Sequence, residues 1–143
     1  MPRRLARDFL ARDTVLMAEP EETVRDAAIG MAANHCGSVL VARGDVLIGI
    51  FTERDLLARV VAAGRDLDTR LLEVMTANPD TIAADAPIGD AIRQMSEGRY
   101  RHLPVIEDER VLGVLSIRDL PFAEIAVVEK ELDDRQSLAE RIW

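Results

Sequence analysis

The sequence predicts a mixed α/β (α+β) fold in which two tandem βαββα repeats pack about a pseudo-twofold axis. The main observation is a repeated motif: the eight residues from Gly49 to Leu56 recur 64 positions later as Gly113 to Leu120. Each copy is an apolar run followed by Thr or Ser and an Arg-Asp-Leu, a pattern typical of a strand that leads into a capped helix. The composition, 48% apolar and 31% charged over 143 residues, is that of a globular domain. One repeat alone would expose too much apolar surface, so we expect the two to share one compact module.

The first repeat is predicted at residues 11–70, after an N-terminal segment at 1–10 that forms a short helix or a loose arm. Apolar runs bounded by turn residues predict its strands, and apolar residues at three- and four-residue spacing predict its helices. In order, we expect a strand at 15–17, a helix after Thr23, a strand at 38–42, a turn at 43–45, a strand at 46–51 and a helix from Thr52 to Gly64.

The second repeat is predicted at residues 71–126, and a C-terminal amphipathic helix at 127–143 follows it. Pro121 lacks a backbone N–H and falls early in the helix that Ser116 should cap, so we expect a kink or restart there. The elements are a short helix at 71–75, a strand at 81–82, a helix from Pro87, a strand at 103–106, a turn at 107–110, a strand at 111–115 and the helix after Ser116. The apolar stripe of the tail runs through Ile125, Val128, Leu132, Ala139 and Ile142 to Trp143.

The charge and the aromatic content argue against nucleic acid as a partner. The net charge is −8, whereas phosphate contacts require a basic surface. Aromatic residues make up 3% of the chain, too few for a platform on which bases stack. A local group of arginines is interpreted as a solvated N-terminal segment: Arg3, Arg4, Arg7 and Arg12.

Membrane insertion and disulfide formation are also not expected. No apolar run approaches the roughly 20 residues that a bilayer requires. Cys36 is the sole cysteine, so an internal disulfide is impossible and a cytoplasmic location is the simplest expectation. We interpret Cys36 as a small buried apolar residue rather than a redox site.

The sequence predicts neither an enzyme nor a metal site. Its two histidines, His35 and His102, do not occupy equivalent positions in the two repeats. No Ser-His-Asp set can be nominated, and Cys36 beside His35 lacks the spacing of metal ligands.

The repeated motif itself has two interpretations. In each copy a hydroxyl residue is followed three positions later by an acid, Thr52 with Asp55 and Ser116 with Asp119. These pairs are capable of capping the helices that they begin. The free N–H groups and the positive dipole end of such a helix also suit a phosphate. Both alternatives stay open at this point.

With its doubled strand-helix-strand-strand-helix order and a Gly-apolar-apolar-Thr/Ser-x-x-Asp motif in each half, the chain resembles a pair of CBS domains over residues 11–126. The resemblance implies a free-standing Bateman module, which is a regulatory unit that binds an adenosyl ligand in clefts between its repeats. AMP, ADP, ATP, NAD and S-adenosylmethionine are the candidates, and no cofactor is required. The resemblance also implies a homodimer that signals to a regulated protein. The rival hypothesis is a ligand-free dimerisation module that regulates a partner.

By this resemblance, each cleft combines the motif of one repeat with the early strands of the other. The first cleft would contain Thr52, Asp55, Pro79, Asp80, Arg101 and His102. The second cleft would contain Ser116, Asp119, Val15, Leu16, Gly37 and Ser38. Arg54 and Arg118 would lie near the phosphate end, and two alternatives stay open for each, contact with phosphate or exposure to solvent.

The roles implied for these residues follow the parts of the ligand. Asp55 and Asp119 would accept the ribose hydroxyls, and Thr52 and Ser116 would donate to phosphate. The adenine would lie in an apolar slot made by strand residues such as Val15, Val39, Pro79 and Ile82. The first cleft is ranked above the second, because Arg101 and His102 supply cationic or donor groups where the second has Gly37 and Ser38.

Overall fold

The protein folds into two β-sheets, one from each half of the chain, with helices packed against each. The computed structural model describes residues 4–10 and 15–142. The described residues form seven strands and five α-helices, and the mixed α/β class with two tandem repeats is confirmed. The predicted features at Arg3, Arg12 and Trp143, and at the side chains of Ala139 and Ile142, lie outside what is described.

The first sheet has the order β1-β2-β3-β4, with β1 parallel to β2 and the other neighbours antiparallel. Thr23 caps the first helix by accepting a hydrogen bond from the Asp26 backbone N–H at 3.2 Å. The elements are β1 (Met17–Ala18), α1 (Val24–Asn34), β2 (Ser38–Arg43), β3 (Val46–Thr52), α2 (Glu53–Asp55, continuing as a π-helix over Leu56–Val61), α3 (Leu71–Val74) and β4 (Thr76–Ala77).

The second sheet has the order β5-β6-β7, again with a parallel pair followed by an antiparallel pair. Its elements are β5 (Ile82–Ala83), α4 (Ile88–Gly98), β6 (His102–Glu107), β7 (Arg110–Ser116), a 3-10 turn (Ile117–Asp119) and α5 (Phe122–Ile142). None of the described helices is both long enough and apolar enough to cross a membrane.

The two hairpins have the same register, as the 64-residue repeat predicts. Val41 lies opposite Gly49 in the first hairpin, and Val105 lies opposite Gly113 in the second. Each hairpin has an irregularity one residue after that valine. Gly49 is required for a close approach, because a Cβ there would overlap the Met75 side chain.

Each repeat has its own hydrophobic core. The first core contains Val24, Ala27, Met31, Val39, Val41, Phe51, Val60, Leu71, Val74 and Met75. The second core contains Ala6, Ile82, Ala84, Ile88, Ala91, Ile92, Met95, Leu103, Val105, Leu115, Leu120 and Val128.

Each core is completed by a segment that precedes the opposite repeat in the chain. Ala6 is fully buried in the second core, and its backbone N–H donates to the Ala86 carbonyl at 2.8 Å. In the same way, Leu71 is fully buried in the first core and its N–H donates to the Glu22 carbonyl at 2.8 Å. Residues 4–10 are therefore docked rather than a loose arm, and the 3-10 turn Ala6–Phe9 is the short helical piece of this segment.

The end of the second repeat differs from the prediction. Ser116 caps no helix, because the 3-10 turn ends at Asp119 and Leu120 is extended with φ −87° and ψ 145°. Pro121 disfavours a helical conformation for the residue before it, so α5 restarts beyond the proline. α5 packs Ile125, Val128 and Leu132 against the second core, as its apolar stripe predicts.

Candidate functional site

A cavity of about 70 Å³ lies between the two repeats, at the position expected for the second cleft. Its walls come from the start of the first sheet and from the end of β7. The lining residues are Val15, Leu16, Cys36, Gly37, Ser38, His102, Val114, Ser116, Arg118 and Asp119. All six residues that the resemblance assigns to the second cleft line this cavity, and Arg118 lines it as well.

Strand pairing explains why these residues meet. The Leu40 backbone N–H donates to the Leu16 carbonyl at 3.0 Å, which places the segment before β1 beside β2. In the second sheet, Ser116 at the end of β7 lies opposite His102 at the start of β6. The two sheets contact each other through β3 and β7. The segment before β1 and the end of β7 therefore line the same cavity.

The Asp119 carboxylate is exposed at this cavity. Within residues 4–10 and 15–142, the Asp119 carboxylate accepts no side-chain hydrogen bond and forms no ion pair, and the Ser116 hydroxyl makes no capping bond. The residue that corresponds to Thr76 at the 64-residue offset is Arg12, which falls in the range 11–14 outside the description. In the described part of the chain, the second copy of the motif therefore presents a carboxylate and a hydroxyl to the cleft.

The first copy of the motif is used differently. The Thr52 backbone N–H donates to Asp55 Oδ2 at 3.0 Å, and the Asp55 N–H donates to Thr52 Oγ1 at 3.2 Å, which is a complete capping box. Thr76 Oγ1 also donates to the same carboxylate at 3.3 Å, and Arg59 Nε lies 3.5 Å from it. Asp55 is only 8% exposed. The capping alternative holds for Asp55 and Thr52, whereas Ser116 caps nothing.

A proline explains the difference between the two copies. The position of Leu57 in the first repeat is taken by Pro121 in the second. Leu57 continues the helix after Thr52, so the Asp55 carboxylate is drawn into the first helical turn. Pro121 stops the equivalent helix, and Asp119 is left in a short 3-10 turn. This signal was visible in the sequence, where Pro121 predicted a kink or restart, and the helix does restart at Phe122.

His102 lies in the wall of the second cleft, not only in the first cleft to which the sequence assigned it. It lies close to Gly37, because a Cβ at residue 37 would lie 3.2 Å from His102 Nε2 and 3.3 Å from Glu53 Oε1. A side chain at residue 37 would therefore have to displace both the imidazole and the carboxylate slightly. The imidazole of one repeat thus approaches the start of α2 in the other.

The His102 imidazole is half-buried, and this burial lowers its pKa below the ordinary value of 6.5. The Glu53 and Asp119 carboxylates oppose the lowering, and the Arg118 and Arg101 guanidinium groups add to it. At neutral pH the cleft therefore contains a neutral imidazole between charges of both signs.

The remaining predicted residues of the first cleft are not brought into the described cavity. Asp80 accepts a hydrogen bond from the Tyr100 hydroxyl at 3.0 Å, and Pro79 is half-buried. Arg101 is exposed, and its carbonyl accepts the Ile117 N–H at 2.9 Å. Arg54 is exposed.

The sequence missed two lining residues, Cys36 and Val114. Each is adjacent to a residue that the sequence did single out, Cys36 beside Gly37 and Val114 beside Gly113. Their position next to these glycines is the sequence feature that could have identified Cys36 and Val114 as lining residues. The Cys36 thiol is half-buried and points toward the Ser38 carbonyl, with a sulfur–oxygen distance of 3.7 Å.

The cleft offers three kinds of contact. Val15, Leu16 and Val114 supply apolar walls. Asp119 is a hydrogen-bond acceptor, and Arg118 is a cation with a planar fork of donors. Among the described residues, no group of three or more His, Cys, Asp or Glu side chains is placed to hold a metal ion.

Comparisons with known proteins agree with this architecture. The family model for the CBS domain matches residues 6–62 and 71–123. The CBS domain-containing protein CBSCBSPB2 of Arabidopsis thaliana is 36% identical over 127 residues, which is 85% of this chain and 24% of the plant protein. The chain therefore spans about a quarter of that relative's length.

Two solved structures share the fold. A CBS domain protein from Pyrobaculum aerophilum complexed with AMP has a TM-score of 0.79 and 28% identity, covering 87% of this chain and 99% of its own. A CBS domain pair in complex with 5′-methylthioadenosine and S-adenosyl-L-methionine has a TM-score of 0.73 and 25% identity, covering 82% of this chain and 93% of its own. With two matched regions that span most of its length, this chain belongs to the CBS domain family and contains two CBS domains in tandem.

Proposed function

We propose that this chain is a regulatory module that binds an adenine nucleotide, or a related adenosyl compound, in the second cleft. The observation that carries the proposal is the exposed Asp119 carboxylate beside the Ser116 hydroxyl, in a cavity walled by both repeats. A ligand there would contact the start of the first sheet and the end of the second at once. Its binding would therefore favour one arrangement of the repeats, which is the requirement for a signal.

The chemistry of the second cleft suits the parts of such a ligand. One carboxylate accepts two ribose hydroxyls, as the acidic residue of dinucleotide sites does, and Asp119 has that role here. Arg118 would bind a phosphate through its guanidinium fork. Val15, Leu16 and Val114 would enclose the adenine ring. The AMP and S-adenosylmethionine complexes of the two similar structures support this class of ligand.

The geometry favours the second cleft over the first, which reverses the ranking expected from the sequence. Asp55 would have to exchange the Thr52 and Thr76 hydrogen bonds for ribose hydroxyls, at a cost in stability. Asp119 has no such bonds to lose within the described residues. We therefore infer one main ligand site per chain, with the first cleft secondary.

The test is a thermal-shift series on nucleotide-stripped protein with AMP, ADP, ATP, NAD and S-adenosylmethionine, with GTP as a guanine comparison. A ligand at one hundred times its dissociation constant stabilises the folded state by about 2.7 kcal/mol, which is several degrees for a domain of this size. We expect Asp119→Ala to remove the shift while the ligand-free melting temperature stays nearly unchanged.

Asp55→Ala is the matched control. It should lower the melting temperature of the ligand-free protein, because the capping box is lost, yet keep the shift caused by the ligand. A shift that Asp55→Ala abolishes and Asp119→Ala preserves would move the site to the first cleft. No shift with any compound, together with flat calorimetry, would refute the proposal.

A second candidate is a ligand-free dimerisation module, and one surface favours it. Three large apolar side chains are exposed on α1 and α2: Ile29 is 61% exposed, Leu57 65% and Val61 61%. We call this group the helix patch. Exposed apolar groups on adjacent helices indicate an interaction surface, and a second copy of the chain is the partner that we propose. Self-association is compatible with ligand binding, so a dimer alone does not distinguish the two candidates. The thermal-shift series does, because only a ligand-binding module is stabilised by an added compound.

The remaining parts of the functional assignment are also proposals. We infer a role in regulation rather than catalysis, because both matched regions of the chain are CBS domains. A cytoplasmic location and a regulated protein partner are consistent with this role.

A further inference from the structure

Arg118 connects the second cleft to the first repeat. It lies in the 3-10 turn after β7, and its Nη2 donates to the His35 carbonyl oxygen at 3.2 Å, across 83 positions of sequence. Arg118 also lines a groove of about 380 Å³ on the outer side of α1 and α2. The guanidinium group is therefore part of the wall between the cleft and this groove.

The carbonyl that Arg118 binds is at the end of α1. His35 is the C-cap of that helix, with a left-handed φ of 51°, and its N–H donates to the Met31 carbonyl. The last carbonyls of a helix lack intrahelical partners and carry partial negative charge. A guanidinium at this point supplies both a donor and the favourable charge, so Arg118 stabilises the C-terminal end of α1.

The other half of the molecule lacks the equivalent contact. At the 64-residue offset Arg118 corresponds to Arg54, and His35 corresponds to Arg99, which is the left-handed C-cap of α4. In the described part of the chain, no hydrogen bond joins Arg54 to the Arg99 carbonyl. The residue at the C-cap position also differs, since Arg99 carries a positive charge where the first repeat has His35. The connection is therefore specific to the cleft that contains Asp119.

An arginine has five N–H donors in a rigid plane, and the bond to His35 uses one of them. We propose that Arg118 binds the anionic group of a ligand in the second cleft while it keeps its bond to His35, and so couples anion binding to the order of the C-terminal end of α1. This inference rests on the proposed function of the cleft. Since coupling is reciprocal, a phosphate-bearing ligand should tighten the end of α1, whereas adenosine, which lacks the phosphate, should not.

The experiment is amide hydrogen exchange over residues 31–37 in the full chain, with AMP and adenosine each at saturation. We expect AMP to slow exchange of the His35 and Cys36 amides about fivefold or more relative to adenosine. Arg118→Ala should speed exchange there in the ligand-free protein and remove the difference between AMP and adenosine. It should also weaken AMP binding about tenfold or more, since a charged hydrogen bond is lost.

Arg110→Ala is the control, because Arg110 is an exposed arginine at the turn of the β6–β7 hairpin and belongs to neither cleft. It should behave as the unmodified protein does in each measurement. If AMP binds but exchange over residues 31–37 is the same with AMP as with adenosine, or faster, the coupling is refuted while the site stands. If Arg110→Ala and Arg118→Ala have the same effect, the assignment to Arg118 is refuted. If neither compound binds in calorimetry, the proposed function of the cleft fails first, and the coupling fails with it.

Discussion

Two adjacent residues of the second hairpin, Asp108 and Glu109, both adopt left-handed backbone conformations, with φ of 51° and 66°. Such conformations are strained for residues that have a Cβ, and a two-residue turn with two positive φ values favours Asp-Gly or Asn-Gly. In the first hairpin, glycine occupies the one turn position with positive φ, Gly44 at 59°. The second hairpin therefore has a local strain that the first avoids.

We predict that Glu109→Gly stabilises the protein by about 0.5–1 kcal/mol, because the strain removed exceeds the added flexibility of glycine. Urea denaturation followed by circular dichroism measures this difference. Asp45→Gly is the control: Asp45 does not have a positive φ, so the same substitution there should destabilise. Equal effects of the two substitutions would show that the left-handed conformation is not the cause.

The His102 imidazole makes stability depend on pH. Its pKa is lowered in the folded protein, mainly by burial, so the unfolded state binds the proton more readily. The contribution of His102 to the free energy of unfolding is therefore fully present above the ordinary pKa of about 6.5. It is lost as the pH falls through the lower pKa of the folded state. The charges that face His102 are Glu53 on α2 and the residues Asp119, Arg118 and Arg101.

We expect the melting temperature to fall between pH 7 and pH 5, and His102→Gln to flatten that fall over the part nearest pH 6. His35→Gln is the control, because it removes the chain's other histidine, whose side chain is exposed and is not part of the cleft wall. A profile that His102→Gln does not alter would mean that other groups govern the acid response.

At the scale of elements, the two strand-to-helix junctions differ in their use of a hydroxyl residue. Thr52 takes part in a complete capping box, whereas Ser116 makes no capping bond. Thr52→Ala should therefore destabilise the protein by about 1–2 kcal/mol, and Ser116→Ala by about 0.5 kcal/mol or less. Denaturation of the ligand-free variants measures both values. A similar loss from the two substitutions would contradict the difference between the junctions.

A second feature at the level of elements is that each repeat packs a segment from across the repeat boundary. Residues 4–10 pack on the second repeat, and α3 packs on the first, so neither repeat has a complete core without a segment from across the boundary. This arrangement ties the two repeats together through backbone hydrogen bonds as well as through the sheet contact. We infer that the module unfolds as one cooperative unit.

At the scale of the whole molecule, the helix patch of Ile29, Leu57 and Val61 is the surface that we assign to self-association. The counterpart of Ile29 in the second repeat is Arg93, which forms ion pairs with Asp90 at 3.1 Å and with Glu131 at 3.6 Å. The counterparts of Leu57 and Val61 are Pro121 and Ile125, and Ile125 packs against the second core. The exposed apolar group of three therefore belongs to the first repeat.

We predict that the protein sediments as a dimer at micromolar concentration and that Leu57→Glu converts it to a monomer, because a buried unpaired charge is costly. Leu112→Glu is the control, since Leu112 is 43% exposed on β7, away from the patch. That variant should remain a dimer. Monomeric behaviour of the unmodified protein would refute the assignment.

The features that follow from local patterns were predictable from the sequence. The 64-residue repeat predicted two equivalent hairpins, and their registers agree, since Val41 and Val105 face Gly49 and Gly113. The repeat also led, through the family resemblance, to the grouping of Val15, Ser38, Ser116 and Asp119 around one cleft. The alternation of apolar and polar residues, turn residues and helix caps each act over a few positions of sequence. They can therefore be recognised without knowledge of the tertiary contacts.

The sequence by itself determined the fold class, the doubled motif and the order of the elements, because each depends on residues that are close along the chain. Which of the two carboxylates is engaged by its neighbours, among the described residues, depends on the tertiary structure. Asp55 and Asp119 are equivalent in sequence, but Thr76 and Arg59 reach the first, while Pro121 ends the helix that would have engaged the second. His102 likewise lies against Gly37 of the opposite repeat. The competition for a hydrogen bond is settled by neighbours in space, and one of them, Thr76, lies 21 positions from Asp55 along the chain.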